Sequence, residues 1–257
     1  MHVRRWWRLE QTSYTTAGPD GVRFAAERGI GLRIHGLLPV LVLSLGAALA
    51  LAGPARASTT VYEYHVEHPR YGDIGTYANV VKQTGDDFEV KSELHIAVKI
   101  LGIVVFREDG KRTENWQGDR LVSFEGVTET NGDRIEVHGE ARGDTFVVTT
   151  PDGVVTAPAR VHPSNPWRAK VLDTDTLIST KTGRVETVSV RGGDEASVTL
   201  DGRDLRLRQY EIDGTKRQFV WLDDRGVAVA FRTDEAGTPI DFILTHAPQI
   251  EAENHLP

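Results

Sequence analysis

Between Phe88 and Ile100 the chain alternates. Phe88, Val90, Leu94, Ile96, Val98 and Ile100 occupy one set of alternate positions, with Ser92 the only interruption. Glu89, Lys91, Glu93, His95 and Lys99 occupy the other, with Ala97 the exception. Successive side chains of a strand point to opposite faces, so the pattern describes a strand with one dry and one wet side, as in an antiparallel sheet. A helix would scatter the same residues around its axis. Tyr62, Tyr64 and Val66 repeat the pattern against Glu63, His65 and Glu67, and Leu205 and Leu207 repeat it against Arg206 and Arg208.

Turn-forming pairs separate these runs at short intervals: Asp109-Gly110, Gly118-Asp119, Asn131-Gly132, Gly143-Asp144, Thr182-Gly183, Gly192-Gly193 and Asp213-Gly214 among them. Asn-Gly and Asp-Gly favour the turns whose twist matches a hairpin. The spacing calls for about eleven to thirteen strands. Gly102, inside the apolar run Ile100–Phe106, reads as a bulge or sharp bend in a long strand. Asn165 followed by Pro166 reads as the cap and first residue of a short helix over Pro166–Leu172. That helix would lie in a connection between a first meander, Thr59–Val161, and a second, Leu177–Thr245. The expected fold is all-β: a strongly curved antiparallel meander, a half-barrel or open barrel, with one short helix in a central connection. The expected organisation is a leader over 1–57, a single β domain over 58–245 and a loose tail over 246–257.

The leader differs from the rest. Residues 36–51 read GLLPVLVLSLGAALAL, an uncharged apolar run preceded by Arg33 and His35 and followed by Ala55-Arg56-Ala57. A basic flank, a short apolar core and an Ala-x-Ala site are the parts of a secretory signal peptide, and the run is shorter than the ~20 residues that span a bilayer. Cleavage is expected after Ala57, releasing the chain to the periplasm or medium, with a retained anchor as the alternative. The stretch before the run lacks any core pattern, which raises a later translation start, at Val22 or Leu32, as a further expectation. The leader holds seven of the 30 basic and three of the 37 acidic residues, which leaves 23 against 34 and a net charge of −11. That balance disfavours a nucleic-acid partner, which needs a clustered basic surface. The chain has no cysteine, which excludes disulfides, thiolate chemistry and the lipid-modified cysteine of a lipoprotein.

No catalytic signature stands out. Gly-x-Ser-x-Gly, Ser-x-x-Lys, the P-loop and the dinucleotide fingerprint are all absent, and no cofactor is called for. His65-x-x-His68 with His138 is the nearest approach to a metal site, yet residues three apart on a strand point to opposite faces. Asp223-Asp224-Arg225-Gly226 reads as a turn in which an aspartate bonds its own backbone, not as a calcium loop.

Several short segments, taken in order, resemble a family of exported bacterial proteins classed as a domain of unknown function. They are Ile74-Gly75, Ile100-Leu101-Gly102-Ile103 ahead of Phe106, Thr113-Glu114-Asn115-Trp116, Pro163–Trp167, Thr182-Gly183, and Val220-Trp221-Leu222-Asp223 with Gly226. The resemblance implies an extracytoplasmic compartment and a curved antiparallel sheet. More distantly, the chain is similar to exported half-barrels related to lipoprotein carriers, which hold acyl chains in a concave apolar face.

The first functional expectation is a non-enzymatic binding protein holding a hydrophobic small molecule or lipid on the concave face. Leu94, Ile96, Val98 and Ile100 would form the wall, with Trp116 and Trp221 as liners. The alternative is a cell-envelope interaction or assembly module that binds another protein through a sheet edge or exposed face. A metal-dependent hydrolase built on the three histidines comes third.

Overall fold

A computed structural model describes residues 57–252, apart from 201–202, 236 and 247–248. All of the expected leader but its last residue, Ala57, therefore lies outside the described residues. Eight strands follow one another as a meander: β1 (Ala57–His68), β2 (Gly72–Thr84), β3 (Asp87–Ile100), β4 (Ile103–Gln117), β5 (Arg120–Thr130), β6 (Asp133–Arg142), β7 (Thr145–Thr150) and β8 (Gly153–Pro158). A connection then carries the short strands β9 (His162–Pro163), β10 (Thr176–Ile178) and β11 (Val185–Thr187), which form a small sheet of their own. The second meander is β12 (Ser189–Leu200), β13 (Arg203–Asp213), β14 (Arg217–Leu222), β15 (Ala228–Glu235) and β16 (Thr238–Leu244).

The two meanders join into one sheet because β16 pairs antiparallel with β1. The strand order is β12-β13-β14-β15-β16-β1-β2-β3-β4-β5-β6-β7-β8, and β8 and β12 are its unpaired ends. The segment expected to be a loose tail instead supplies β17 (Gln249–Ala252), which pairs with the first half of β1 beyond the point where β16 stops. No helix among the described residues is long and apolar enough to cross a membrane.

One face of this sheet is inner throughout. Tyr64, Tyr77 and Leu94 lie side by side across β1–β3, and Leu244, Phe242, Phe231 and Val220 continue the same face through β16–β14. Laid flat at ~4.8 Å per strand, thirteen strands would span ~60 Å. Yet the single connection packs against both arms. Val161, Trp167 and Ile178 share a cluster with Val90, Trp116, Phe124, Val137 and Phe146 of β3–β7. Val171, Leu177 and Val188 share another with Ile212, Val220, Leu222 and Ala228 of β13–β15. The sheet curls around the connection.

Four local features differ from the expectation. The helix expected over Pro166–Leu172 is only a 3-10 turn, Ala169–Asp173, and the residue before it is Arg168, without a side-chain cap. Asn165 does not cap because its side chain is spent inside the sheet. Gly102 marks a hairpin turn between β3 and β4, not a bend within one strand: Leu101 and Gly102 both have positive φ, 51° and 81°, as a two-residue hairpin turn of the primed type requires. Conversely, Asp109-Gly110 lies inside β4, and Gly192-Gly193 marks a register shift inside β12.

Candidate functional site

The inward positions of β4 are Glu108, Gly110, Arg112, Glu114 and Trp116, and Glu108, Arg112, Glu114 and Trp116 are all buried. Buried charges persist only when paired and hydrogen-bonded, and each of these three finds its partner on the connection. Lys181 Nζ lies 2.5 Å from Glu108 Oε2, which also accepts a bond from Thr130 Oγ1 at 3.1 Å. Arg112 Nε donates to the Thr180 carbonyl at 3.2 Å. Glu114 accepts three bonds: from Asn165 Nδ2 at 2.8 Å on Oε1, and from Trp116 Nε1 at 2.9 Å and Trp167 Nε1 at 3.1 Å on Oε2. Burial raises the Glu114 carboxyl above the ordinary range, opposed by the Asn165, Trp116 and Trp167 bonds.

Around Asn165 the network spreads to two more strands. Its amide nitrogen lies 3.2 Å from both Asn79 Oδ1 and Ser92 Oγ, and its carbonyl accepts from the Tyr77 hydroxyl at 2.8 Å. Ser92 Oγ donates to Asn79 Oδ1 at 2.6 Å. Burial pushes the Tyr77 phenol up to about 12, opposed mainly by the nearby Arg112 charge. Ser92, the one interruption in the apolar face of β3, is thus a member of a polar cluster that also takes in β2, β4 and the connection.

Beside it, Arg168, just before the 3-10 turn, lies against three aromatic rings. Its guanidinium carbon sits 4.9, 4.8 and 4.7 Å from the ring centres of Phe88, Trp116 and Trp167, close enough for cation–π attraction. His162 packs against Trp116 with ring centres 4.8 Å apart. Burial, followed by the Arg168 charge, lowers its pKa to about 4.

Two glycines make the close fit possible. A Cβ at Gly75 would sit 1.9 Å from the His95 carbonyl oxygen of the adjacent strand. Gly183, with φ +71°, turns the connection so tightly that a Cβ would meet Thr150 Cγ2 at 2.5 Å and Val137 Cγ1 at 2.9 Å.

The expected ligand-site residues fall into separate surroundings. Leu94 and Val98 are buried on the inner face in a cluster with Tyr64, Tyr77, Ile240 and Phe242, and Ile96 packs against it half-buried. Trp116 lies in the cluster sealed by the connection. Ile100 is exposed near the end of the β3–β4 ribbon. Trp221 is on the other face of the sheet, opposite in direction to Val220. There it packs with Val198, Leu207, Val229 and Ala230, and its ring nitrogen donates to Gln209 Oε1 at 3.2 Å. The six do not surround one space. Two open depressions, of about 400 and 420 Å³, are present: one beside Arg160, Leu172 and Val188, which none of the six lines, the other beside Phe88, Asn115, Trp116 and Gln117, which of the six only Trp116 lines.

The three histidines do not converge either. His65 faces Glu67, His68 Nδ1 accepts the Arg70 amide at 3.0 Å, and His138, on distant β6, is paired with Glu125 of β5. Among the described residues no group of three His, Asp or Glu side chains is placed to hold a metal. Asp223 Oδ1 accepts the backbone amides of Arg225 and Val227, both at 2.9 Å, which is the turn role expected of it.

Sequence reasoning missed Glu114, Asn165, Asn79 and Arg112 as site residues. Glu114 and Asn165 stood inside the segments that carried the family resemblance, but polar residues at inward positions give no signal of their own until their partners are known.

A family model described as "Domain of unknown function (DUF6134)" matches residues 70–245. Among solved structures, the chain resembles the β-barrel-like protein of domain of unknown function DUF1849 from Brucella abortus. That likeness has a TM-score of 0.56 at 12% identity and covers 77% of this chain and 99% of the other. At that identity it speaks for the fold alone. No curated protein matches in sequence.

Proposed function

The chain belongs to the DUF6134 family, and on that footing we propose that it is a non-enzymatic interaction module working outside the cytoplasm, with its binding surface on the outside of the curled sheet. One observation carries this reading: on the inner face, where an apolar guest would sit, the protein's own connection packs against both arms of the sheet. The connection is latched there by buried polar contacts at Glu108, Arg112 and Glu114.

Admitting a ligand would mean lifting the connection out. Glu114 would lose Asn165 and Trp167 as donors while staying under the sheet, and each orphaned buried group costs about 1–3 kcal/mol. Val161, Trp167, Val171, Leu177 and Ile178, all buried, would be exposed at about 1.5–3 kcal/mol for each large side chain. An apolar guest would have to offset both terms. The export half of the reading rests on the apolar run at 36–51 and the Ala55-Arg56-Ala57 site.

Purification from the expressing cell, followed by native mass spectrometry and organic extraction, tests the reading. The expected result is a chain beginning at Ser58, found outside the cytoplasm and free of any stoichiometric apolar molecule. A lipid or other apolar compound recovered at one per chain would overturn it.

A further inference from the structure

The β3–β4 ribbon outruns its neighbours. Pairing of β3 with β2 ends at Ile96, and pairing of β4 with β5 begins at Glu108. From Val98 to Phe106 the two strands are paired in the sheet only with each other, so the tip stands ~10 Å past the last residue pairs that join the ribbon to β2 and β5. On this projection the alternation fails. Ile100, Leu101, Ile103, Val104 and Val105 are all exposed, Leu101 at 97% and Ile103 at 69%.

We propose that this ribbon is a membrane-docking element that inserts its apolar tip into the interfacial layer of a lipid bilayer. The assignment rests on the reading above, that the working surface lies outside the sheet. Three features select a bilayer over a protein groove. First, the apolar side chains are on both faces of the ribbon and at its end, which suits a medium that surrounds it; a groove needs only one face. Second, the register shift between Val98 and Lys99 interrupts the ribbon edge, and bulges of this kind discourage strand addition by another protein. Third, the base carries basic and aromatic groups at the level of the headgroups. Lys99 is exposed on β3, and the neighbouring β1–β2 turn brings Arg70, 5.6 Å from the centre of the Tyr71 ring, with Tyr71 itself exposed. Aromatic and basic side chains favour that depth.

The tip residue adds a fourth point. Leu101 holds φ +51°, a conformation left mainly to glycine and asparagine. A leucine kept there, wholly exposed, sacrifices local stability for an apolar apex. The net charge of −11 expected for residues 58–257 makes attraction to anionic lipid a minor contributor, so apolar insertion must dominate and zwitterionic vesicles should suffice.

The absence of cysteine permits a direct test on the full chain. An environment-sensitive fluorophore is attached at Leu101→Cys, or at Asp86→Cys on the exposed turn at the opposite end of β3, and vesicles of phosphatidylcholine are added, with and without phosphatidylglycerol. The expected result is a blue shift and quenching by headgroup-level lipid quenchers at position 101 only, in both vesicle types. Adding Ile103→Asp to the 101-labelled chain should weaken the response on the order of tenfold, from the apolar area lost. Because the comparison is positional, association through the apolar leader alone would leave position 101 unshifted and overturn the proposal. So would equal shifts at 86 and 101. A position-101 probe that ignores vesicles but crosslinks to one protein in cells would overturn membrane docking and leave the interaction-module reading standing. A stoichiometric apolar molecule inside the sheet would instead remove that reading.

Discussion

The two halves of β4 break the same rule in opposite directions. From Glu108 to Trp116 the strand buries two glutamates and an arginine under the connection; from Ile103 to Val105 it exposes three aliphatic side chains to water. The first departure stabilises the fold, because every buried charge has a partner in another element. The second contributes nothing to the core. Burial of charge and exposure of apolar surface are thus separate signs: one marks where the chain holds itself together, the other where it meets something else.

Substitution should separate the halves cleanly, and the largest effect belongs to the latch. Glu114→Ala leaves the Trp116, Trp167 and Asn165 donors buried without their acceptor, for an expected loss of about 4 kcal/mol in urea unfolding. Glu114→Gln keeps one acceptor oxygen and should lose roughly half as much. A loss from Glu114→Ala below about 1 kcal/mol would erase the distinction between the halves.

The pH dependence of unfolding probes the same half. A buried base whose pKa is lowered resists protonation when folded, so its stability contribution is whole above the ordinary histidine value of 6.5 and is lost as pH falls toward about 4. For His162 that window corresponds to about 3 kcal/mol. Glu114, raised by burial, acts with the opposite sign: the folded chain takes up its proton more readily, offsetting part of the loss at the acid end. His162→Leu should flatten the slope between pH 6.5 and 4, measured by urea midpoints across that range; an unchanged slope would show that His162 is not the group responsible.

Gly183→Ala comes next. It forces a side chain into a left-handed turn against Thr150 and Val137, and should cost about 2–3 kcal/mol by thermal unfolding. The smallest effect is expected on the ribbon, and it has the reverse sign. Leu101→Gly relieves the positive φ and removes no core contact, so stability should hold or rise by up to about 1 kcal/mol. A clear destabilisation there would mean the tip packs against something in the folded chain.

Much of the architecture was legible because the alternation of β3 and the Tyr62–Val66 run depends only on backbone geometry. The errors were local and paired. Asp109-Gly110 looked like a turn, but Asp109 is held on the outer face by Arg107 at 2.6 Å and His95 at 2.6 Å, and Gly110 makes room for the Arg112 guanidinium, 3.1 Å from where its Cβ would be. Leu101-Gly102 did not look like one, since leucine at positive φ is too unfavourable to be read as a signal. The candidate site was harder to see. An inward Glu114 carries no mark in sequence, because its acceptor role depends on Asn165 and Trp167, about fifty residues away. Trp221 was misplaced relative to the other five expected liners because an apolar residue does not declare its face where both faces of a strand are buried, as at Val220 to Leu222.

The central claim is that the connection is a permanent part of the core. Native-state hydrogen exchange of the amides of Ser164, Ser179 and Val188, which bond to Ile178, Arg184 and Asp175 within the connection, tests it most directly. Their protection should match that of β3 and β4 amides below the ribbon. Exchange of these three at rates near those of an open loop, while the sheet stays protected, would contradict it.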